Sequence, residues 1–535
     1  MRSLPLIIVV GANDLAQRVC EELSATQGHE VVLLASADDY GVLETAGART
    51  AECIIPVGDD DRVNLRVALK ARDLNPEIRI VLRQFNRALG RKIEQNLHGC
   101  VAVSPATHAA ATFAAACIDP STIQAVQFPL ADGPLMSFAQ RSARDFGLGA
   151  TTVADAERHI ECRIVALNGA VNPAANDRIQ PGDTLVVCGP VTELHPRRRR
   201  SRAEQPARPA RRPRLRDAFR TAVRLEPLLL YTFAVGFVLF FAASVYFSVD
   251  MHITFLEAMY FVAATMFTVG YGDITPYIRH SDWPAYVAAI FVMGAGVTIG
   301  GVFIASISSL LNRAQETALR GLRQIRAENH IVIFGAGNVG MRVIEFLLDL
   351  GQEVVVVEPR PNSRLLELAR RRRVDLLASD ATDDDTLAFC NLRRAHGVAA
   401  VTDSDTANVE AALGALAYNS RVPVVLRIGD VEFARSIARN FSIGLSFATS
   451  DLTAPLIAGL SRFPASRGRV TFAGEMFAIG ERTADMYVPR GEGGVPLFVW
   501  RAGELLQTRN FDDLQPGDRL LDIVPLSQFR AGAKE

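Results

Sequence analysis

His330-Ile-Val-Ile-Phe-Gly-Ala-Gly-Asn-Val-Gly340 decides the fold of the C-terminal part of this chain. A short apolar run bounded by glycine reads as a buried strand, and Met341 to Leu350 continues it as an amphipathic helix. Between them lies GxGxxG, in which glycines permit a tight turn and close phosphate approach at a helix N-terminus. Glu353-Val-Val-Val-Val357 follows as a second strand, and Glu358 at its end can accept hydrogen bonds from ribose hydroxyls. Further strand patterns at Val374 to Ala378, Val398 to Val401 and Val422 to Leu426 alternate with helical ones. The expected fold is a doubly wound parallel sheet. Ser379-Asp380-Ala381-Thr382 and Thr402-Asp403-Ser404-Asp405 each follow a strand end, where ligands bind in open α/β sheets. Asp380 and Asp403 could equally serve as caps for the helices after them.

The N-terminal part repeats this pattern. Ile7-Ile-Val-Val-Gly11 onward matches Val332 to Gly335 onward at an offset of 324, with Gly11 on Gly335. Glu77 to Arg83 matches Val422 to Arg427 at an offset of 344. Ile179-Gln-Pro-Gly-Asp183 recurs as Leu514-Gln-Pro-Gly-Asp518, near the end of a small β-rich unit in each half. Internal duplication accounts for these matches. The change of offset makes the first copy 20 residues shorter, across the stretch that holds Ser379 to Thr382 in the second. Asn13 stands at the place of Gly337, Ala16 at that of Gly340 and Ala35 at that of Glu358. An Asn side chain obstructs a pyrophosphate, and no acid remains for ribose. The first copy is expected to keep the fold and lack the nucleotide.

Between the copies, Leu228 to Phe247 carries no charge over 20 residues and Trp283 to Leu311 none over 29. Each is long enough to span a bilayer, which takes roughly 20 apolar residues. Phe255 to Phe267 is apolar but too short to cross, so it reads as a re-entrant half-helix. It ends at Thr268-Val269-Gly270-Tyr271-Gly272-Asp273. Four copies of a TVGYG loop replace the hydration shell of potassium with backbone carbonyls. K+ would sit at the carbonyls of Thr268, Val269, Gly270 and Tyr271, and one chain supplies only a quarter of that ring.

Charge sets orientation. Arg197 to Arg200, Arg202, Arg211, Arg212, Arg214, Arg216, Arg220 and Arg224 precede the first span. Arg313, Arg320, Arg323 and Arg326 follow the second. The segment between holds Asp250, Glu257, Asp273 and Asp282 against Arg279. Both termini are therefore expected in the cytoplasm, in a multi-pass protein of the plasma (inner) membrane. The arginine tract, interleaved with proline and alanine and lacking aromatics, reads as a lipid-touching tether and not a nucleic-acid site. A net charge of −1 offers no global argument for a partner, and no protein partner is expected. The seven cysteines lack any CxxC and the nine histidines any metal-ligand spacing.

The span, half-helix, filter and span resemble the two-transmembrane potassium channels. The flanking copies resemble RCK (regulator of potassium conductance) domains, of the TrkA-N and TrkA-C type. The resemblance implies a helical membrane pore flanked by two Rossmann-like RCK domains, each with a β-rich lobe. Its boundaries are 1–190 for the first RCK copy, 191–217 for a linker and 218–313 for the pore. A second linker, 314–328, leads to the second copy, 329–527, with its lobe from 461. It implies nucleotide contacts at Gly335, Gly337, Asn338, Val339, Gly340, Glu358, Asp380, Ala381, Thr382, Thr402, Asp403 and Arg427. Asp273 and Glu257 would brace the filter, with Gly294 or Gly296 as the gating hinge; close helix packing is the other use for those glycines. It further implies a homotetramer with an eight-RCK gating ring, gated by NAD(H), ATP or ADP. Calcium gating, with Asp380, Asp383, Asp384 and Asp385 as ligands, is the competing reading. A membrane-anchored nucleotide-dependent oxidoreductase would need a catalytic acid, base or nucleophile near the nicotinamide, and none is evident, so no enzyme is expected.

Overall fold

The computed structural model describes residues 4–25, 28–37, 39–129, 133–194, 227–319, 325–429, 431–441, 443, 445–483, 494–509 and 514–526. The arginine tract lies wholly outside them, as do Arg320 and Arg323. The chain forms two compact units, one made of both cytosolic-type copies and one of the membrane-type segment between them.

The second copy is a six-stranded parallel sheet. Its strand order is Asp375–Leu377, Val354–Val357, Ile331–Phe334, Gly397–Ala400, Val424–Arg427 and Leu445–Phe447. The four strands from Ile331 to Val425 are buried on both faces, which is why they read as unbroken apolar runs. The first copy has five strands, in the order Glu30–Leu34, Leu6–Val10, Cys53–Pro56, Arg79–Arg83 and Cys100–Val103. It runs from its second strand directly to the counterpart of Gly397–Ala400, so the missing 20 residues are the edge strand Asp375–Leu377 and its loop. Register supports the residue matches. Val10 pairs with Leu34 as Phe334 pairs with Val357, which sets Ala35 against Glu358.

Each copy ends in a five-stranded antiparallel lobe with the same strand order. In the first lobe that order begins at Ala170–Val171 and ends at Thr122–Gln127; in the second it runs from Glu504–Gln507 to Ser466–Phe472.

The copies were expected as separate domains, but they complete one another. The helix Pro105–Ile118 of the first copy packs on Asn338–Asp349 of the second, and Thr449–Arg462 of the second packs on Asp14–Ala25 of the first. Twelve of the residues from Pro105 to Ile118 are buried, as expected of an Ala-rich helix with no polar face. Its Phe113 meets Phe447 edge to face at 5.6 Å, and burying one such ring contributes about 2–3 kcal/mol. The lobes share a core in which Phe128, Met136 and Phe138 meet Phe472, Phe477 and Leu497.

In the membrane-type unit, helices run over Pro227–Asp250, Phe255–Met266 and Trp283–Leu319. Tyr231–Asp250 and Trp283–Ser306 are long and apolar enough to cross a bilayer. The last helix continues to Leu319, past the expected boundary at 313 and into the expected linker.

Candidate functional site

The short helix Phe255–Met266 is started by a capping box. Thr254 Oγ1 accepts from the Glu257 N–H, and the Glu257 carboxylate accepts from the Thr254 N–H at 2.9 Å. Glu257, expected to brace the filter, is thus spent at the far end of that helix. The brace at Asp273 is Tyr260, whose hydroxyl hydrogen-bonds the carboxylate, while its ring stacks on Tyr271 at 6.3 Å. Tyr260 was not singled out in the sequence; its place two turns before the helix end is the only signal.

Thr268 to Asp273 follow the helix C-terminus, where the Ala264 carbonyl accepts from the N–H groups of Val269 and Gly270 at 2.8 and 3.1 Å. Thr268, Gly270 and Gly272 have φ of 59°, 56° and 79°. Alternate residues in the left-handed region turn successive carbonyls in a way a regular strand does not, and two of the three positions are glycine for that reason. Gly296 and Gly294 separate the two uses weighed for them. A Cβ on Gly296 would lie 2.6 Å from the Met266 carbonyl oxygen, so this glycine seats the last helix against the half-helix. A Cβ on Gly294 would meet nothing within 4 Å.

In the other unit, a cavity of about 1040 Å³ opens over the C-terminal strand ends of the second copy. Of the residues matched to the nucleotide site, Gly335, Gly337, Asn338, Val339, Glu358, Asp380, Thr402, Asp403 and Arg427 line it. Gly340, Ala381 and Thr382 do not. Gly340 acts beneath the loop, where a Cβ would stand 2.1 Å from the Gly335 carbonyl oxygen. Gly335 has φ of 92°, and a Cβ there would lie 2.7 Å from Thr402. At Gly337 a Cβ would meet nothing within 4 Å, which leaves open backbone at the helix N-terminus for a phosphate.

Neither acid caps the helix after it. Asp380 accepts from the Thr382 N–H and hydroxyl, both at 3.0 Å, and the following helix, Asp384–Phe389, has Asp383 at its N-cap with no side-chain cap bond. Ser404, not Asp403, caps the helix Asp405–Tyr418. Glu358 accepts from the Ala336 N–H at 2.8 Å and the Arg360 N–H at 3.1 Å. A carboxylate has about four acceptor positions, so room remains for ribose hydroxyls. Arg427 donates to the Thr402 carbonyl at 2.9 Å; burial lowers its pKa, against the opposing charges of Asp405 and Asp403.

The far wall of the cavity comes from the first copy, through Asn13, Arg18, Asp59, Arg83 and Phe85. The offset of 344 already paired Arg83 with Arg427; the facing arrangement is what the sequence left unread. Arg18 reaches across to Asp451 at 3.2 Å. In the first copy's own glycine loop, Asn13 Nδ2 donates to the Val57 carbonyl at 2.8 Å and to Asp59 at 3.1 Å, closing the space that is open at Gly337. The glycine loop is therefore open in the second copy and filled in the first.

An ion-channel domain matches residues 233–313, and a TrkA-N domain matches twice, at 26–105 and 331–446. The chain thus carries an ion-channel match between two TrkA-N (RCK-type) matches. It is 29% identical over 179 residues to the voltage-gated potassium channel Kch of Escherichia coli, covering 33% of this chain and 42% of that one. It is 28% identical over 180 residues to potassium channel protein 1 of Methanocaldococcus jannaschii, covering 32% and 52%. A Trk system potassium uptake protein TrkA homolog of Pyrococcus abyssi is 31% identical over 123 residues, covering 22% and 54%. The chain thus spans about half, or less, of the length of these curated relatives. Among solved structures it is similar to the GsuK channel bound to NAD, at 13% identity and a TM-score of 0.48, over 98% of this chain and 78% of that one. The ion-channel match and the two helices of spanning length make it a membrane protein, and its named relatives are channels and uptake proteins.

Proposed function

We propose that this protein is a potassium-selective channel gated by a nucleotide held in the second copy. The observation that carries the first part is the Thr268–Asp273 segment, set between a half-helix and a spanning helix with left-handed backbone at Thr268, Gly270 and Gly272. Four chains would close the carbonyl ring around a dehydrated ion. The second part rests on the open glycine loop and Glu358, and Glu358 favours a free ribose 2′-hydroxyl, hence NAD(H), ATP or ADP.

Arg18 and Arg83 make the first copy the far side of the same cavity, so an occupant touches both copies and its affinity depends on how they pack. A ligand can gate only through such a difference in affinity between states. Pairing of two copies inside one chain supports a ring of eight copies from four chains, with the first copy as scaffold. Gly296 is committed to packing, which leaves Gly294 as the hinge. The inner membrane with both termini in the cytoplasm follows from the flanking arginines.

Potassium efflux from liposomes holding the purified protein, with NAD⁺, NADH, ATP, ADP or calcium added in turn, tests this reading. Selective flux that responds to one nucleotide, and loses that response in Glu358→Ala, is the expected result. A calcium response that survives Glu358→Ala would transfer gating to the acidic run at Asp383. Among the described residues no group of three or more His, Cys, Asp or Glu is placed to hold a metal ion. Equal flux of sodium would end the potassium reading.

A further inference from the structure

A second cavity, of about 330 Å³, lies where the first copy's helix Pro105–Ile118 meets the second copy's helices Asn338–Asp349 and Thr449–Arg462. It belongs to neither glycine loop. Phe346, Leu456 and Leu460 give it apolar walls from the second copy, and Arg91, Arg467 and Arg519 outweigh the one acid, Glu94, in its lining. From the first copy come Gln84 and His108.

Both of these polar side chains are left with an unanswered acceptor. Gln84 is 2% exposed; its Nε2 donates to Asp61 at 2.7 Å, which fixes the amide orientation and leaves Oε1 buried without a partner. His108 bonds the Leu452 carbonyl through its ring, and its Nε2 is buried without a partner. Burial lowers the His108 pKa to about 4, so the ring is neutral and Nε2 offers a lone pair. A buried acceptor without a donor is unfavourable, and two line one space.

The duplication shows that the fold does not require them. At the offset of 344, the second copy has Ile428 at the place of Gln84 and Leu452 at that of His108. Apolar side chains serve both positions there. The polar pair occurs in the copy whose own nucleotide loop is closed.

We propose that this cavity is a second small-molecule site, for a flat heterocycle that presents N–H donors to Gln84 and His108 and an anionic group to the arginines. A guanine nucleotide has that chemistry: ring and exocyclic N–H donors and a phosphate. Its size suits a cavity at the small end of ligand sites, which run from about 300 Å³ upward.

Guanosine 5′-monophosphate is the probe, titrated calorimetrically into full-length protein carrying Gly337→Asn, which blocks the glycine-loop site. Saturable binding is expected, weakened at least tenfold when Gln84→Ile and His108→Leu install the second copy's residues. Ribose 5-phosphate, which has the anion without the base, is expected not to compete. Absence of binding in the Gly337→Asn protein would overturn the proposal. Undiminished binding after the double change, or full competition by ribose 5-phosphate, would do the same. If the double variant does not fold, the competition experiment alone decides between base recognition and an anion-only site.

Discussion

The two halves of the cytosolic-type unit share a fold and differ in what their glycine loops can do. In the second copy the loop is open at Gly337 and an acid stands at 358; in the first, Asn13 bonds Val57 and Asp59 and Ala35 replaces the acid. Loss of the edge strand removes the Asp380 loop as well, so three separate contributions to a nucleotide site are absent together. What the first copy keeps is its outward-facing machinery: the helix that covers its neighbour, the arginines on the shared cavity and the lobe that completes the common core. A duplicated domain can surrender its ligand and still be required, because its partner's site and core are built partly from it.

The largest effect is expected where the lobes lock together. Glu157 of the first lobe is 5% exposed and holds Arg163 of its own lobe and Arg509 of the second, each at 2.7 Å. Removing the carboxylate strands two guanidinium groups, one of them, Arg163, fully buried. Glu157→Ala is expected to cost about 3–5 kcal/mol, read as a lower midpoint in denaturant unfolding. If the lobes were independent, the loss would be confined to the first lobe, and domain-resolved hydrogen exchange would show the second unchanged.

Next comes the exchange of the two loop residues. Gly337→Asn places the first copy's side chain in open space, so folding should be unaffected while nucleotide affinity falls roughly 100-fold to 1000-fold, about 3–4 kcal/mol. The reverse change, Asn13→Gly, is expected to confer no binding, because Ala35 and the missing strand remain. Binding at an Asn13→Gly loop, measured by calorimetry in the Gly337→Asn background, would mean that one side chain alone separates the copies.

Much of this contrast was legible in the chain itself. Gly-rich loops, acids at strand ends and unbroken apolar strands announce themselves, and the shift of offset placed the missing stretch across the loop that holds Ser379 to Thr382. The membrane-type segment was equally plain, since uncharged runs of spanning length have few other uses. The mutual packing of the copies was not read, although Pro105-Ala-Thr-His-Ala-Ala-Ala-Thr-Phe-Ala-Ala-Ala-Cys-Ile118 lacks a polar face and so demands cover on every side. Nor was the fate of Glu257, because a capping box and a filter brace need the same residue type and only geometry separates them. Six of the seven scattered cysteines are buried and Cys20 is half-buried; burial pushes the thiols of Cys100, Cys117 and Cys390 up to about 12.

The smallest predicted effect separates the copies by pH. Asp522 of the second lobe is wholly buried, 3.1 Å from Arg482, and burial raises its pKa to about 6; Val187 stands at the matching place in the first lobe. The folded state therefore binds a proton that the unfolded state has released between about pH 4 and 6, so this group's contribution to stability falls as pH rises through that window. His108 acts in the opposite sense: its folded pKa is lowered to about 4 from an ordinary 6.5, so its contribution is present above about 6.5 and is lost as pH falls toward 4. Asp522→Asn should match the parent protein near pH 4 and exceed it by up to about 3 kcal/mol at pH 7. His108→Leu should instead flatten the acid side of the curve. Denaturant unfolding across pH 4–8 distinguishes them; an Asp522→Asn protein less stable than its parent at pH 7 would show that the Arg482 pair, and not burial, governs this carboxylate.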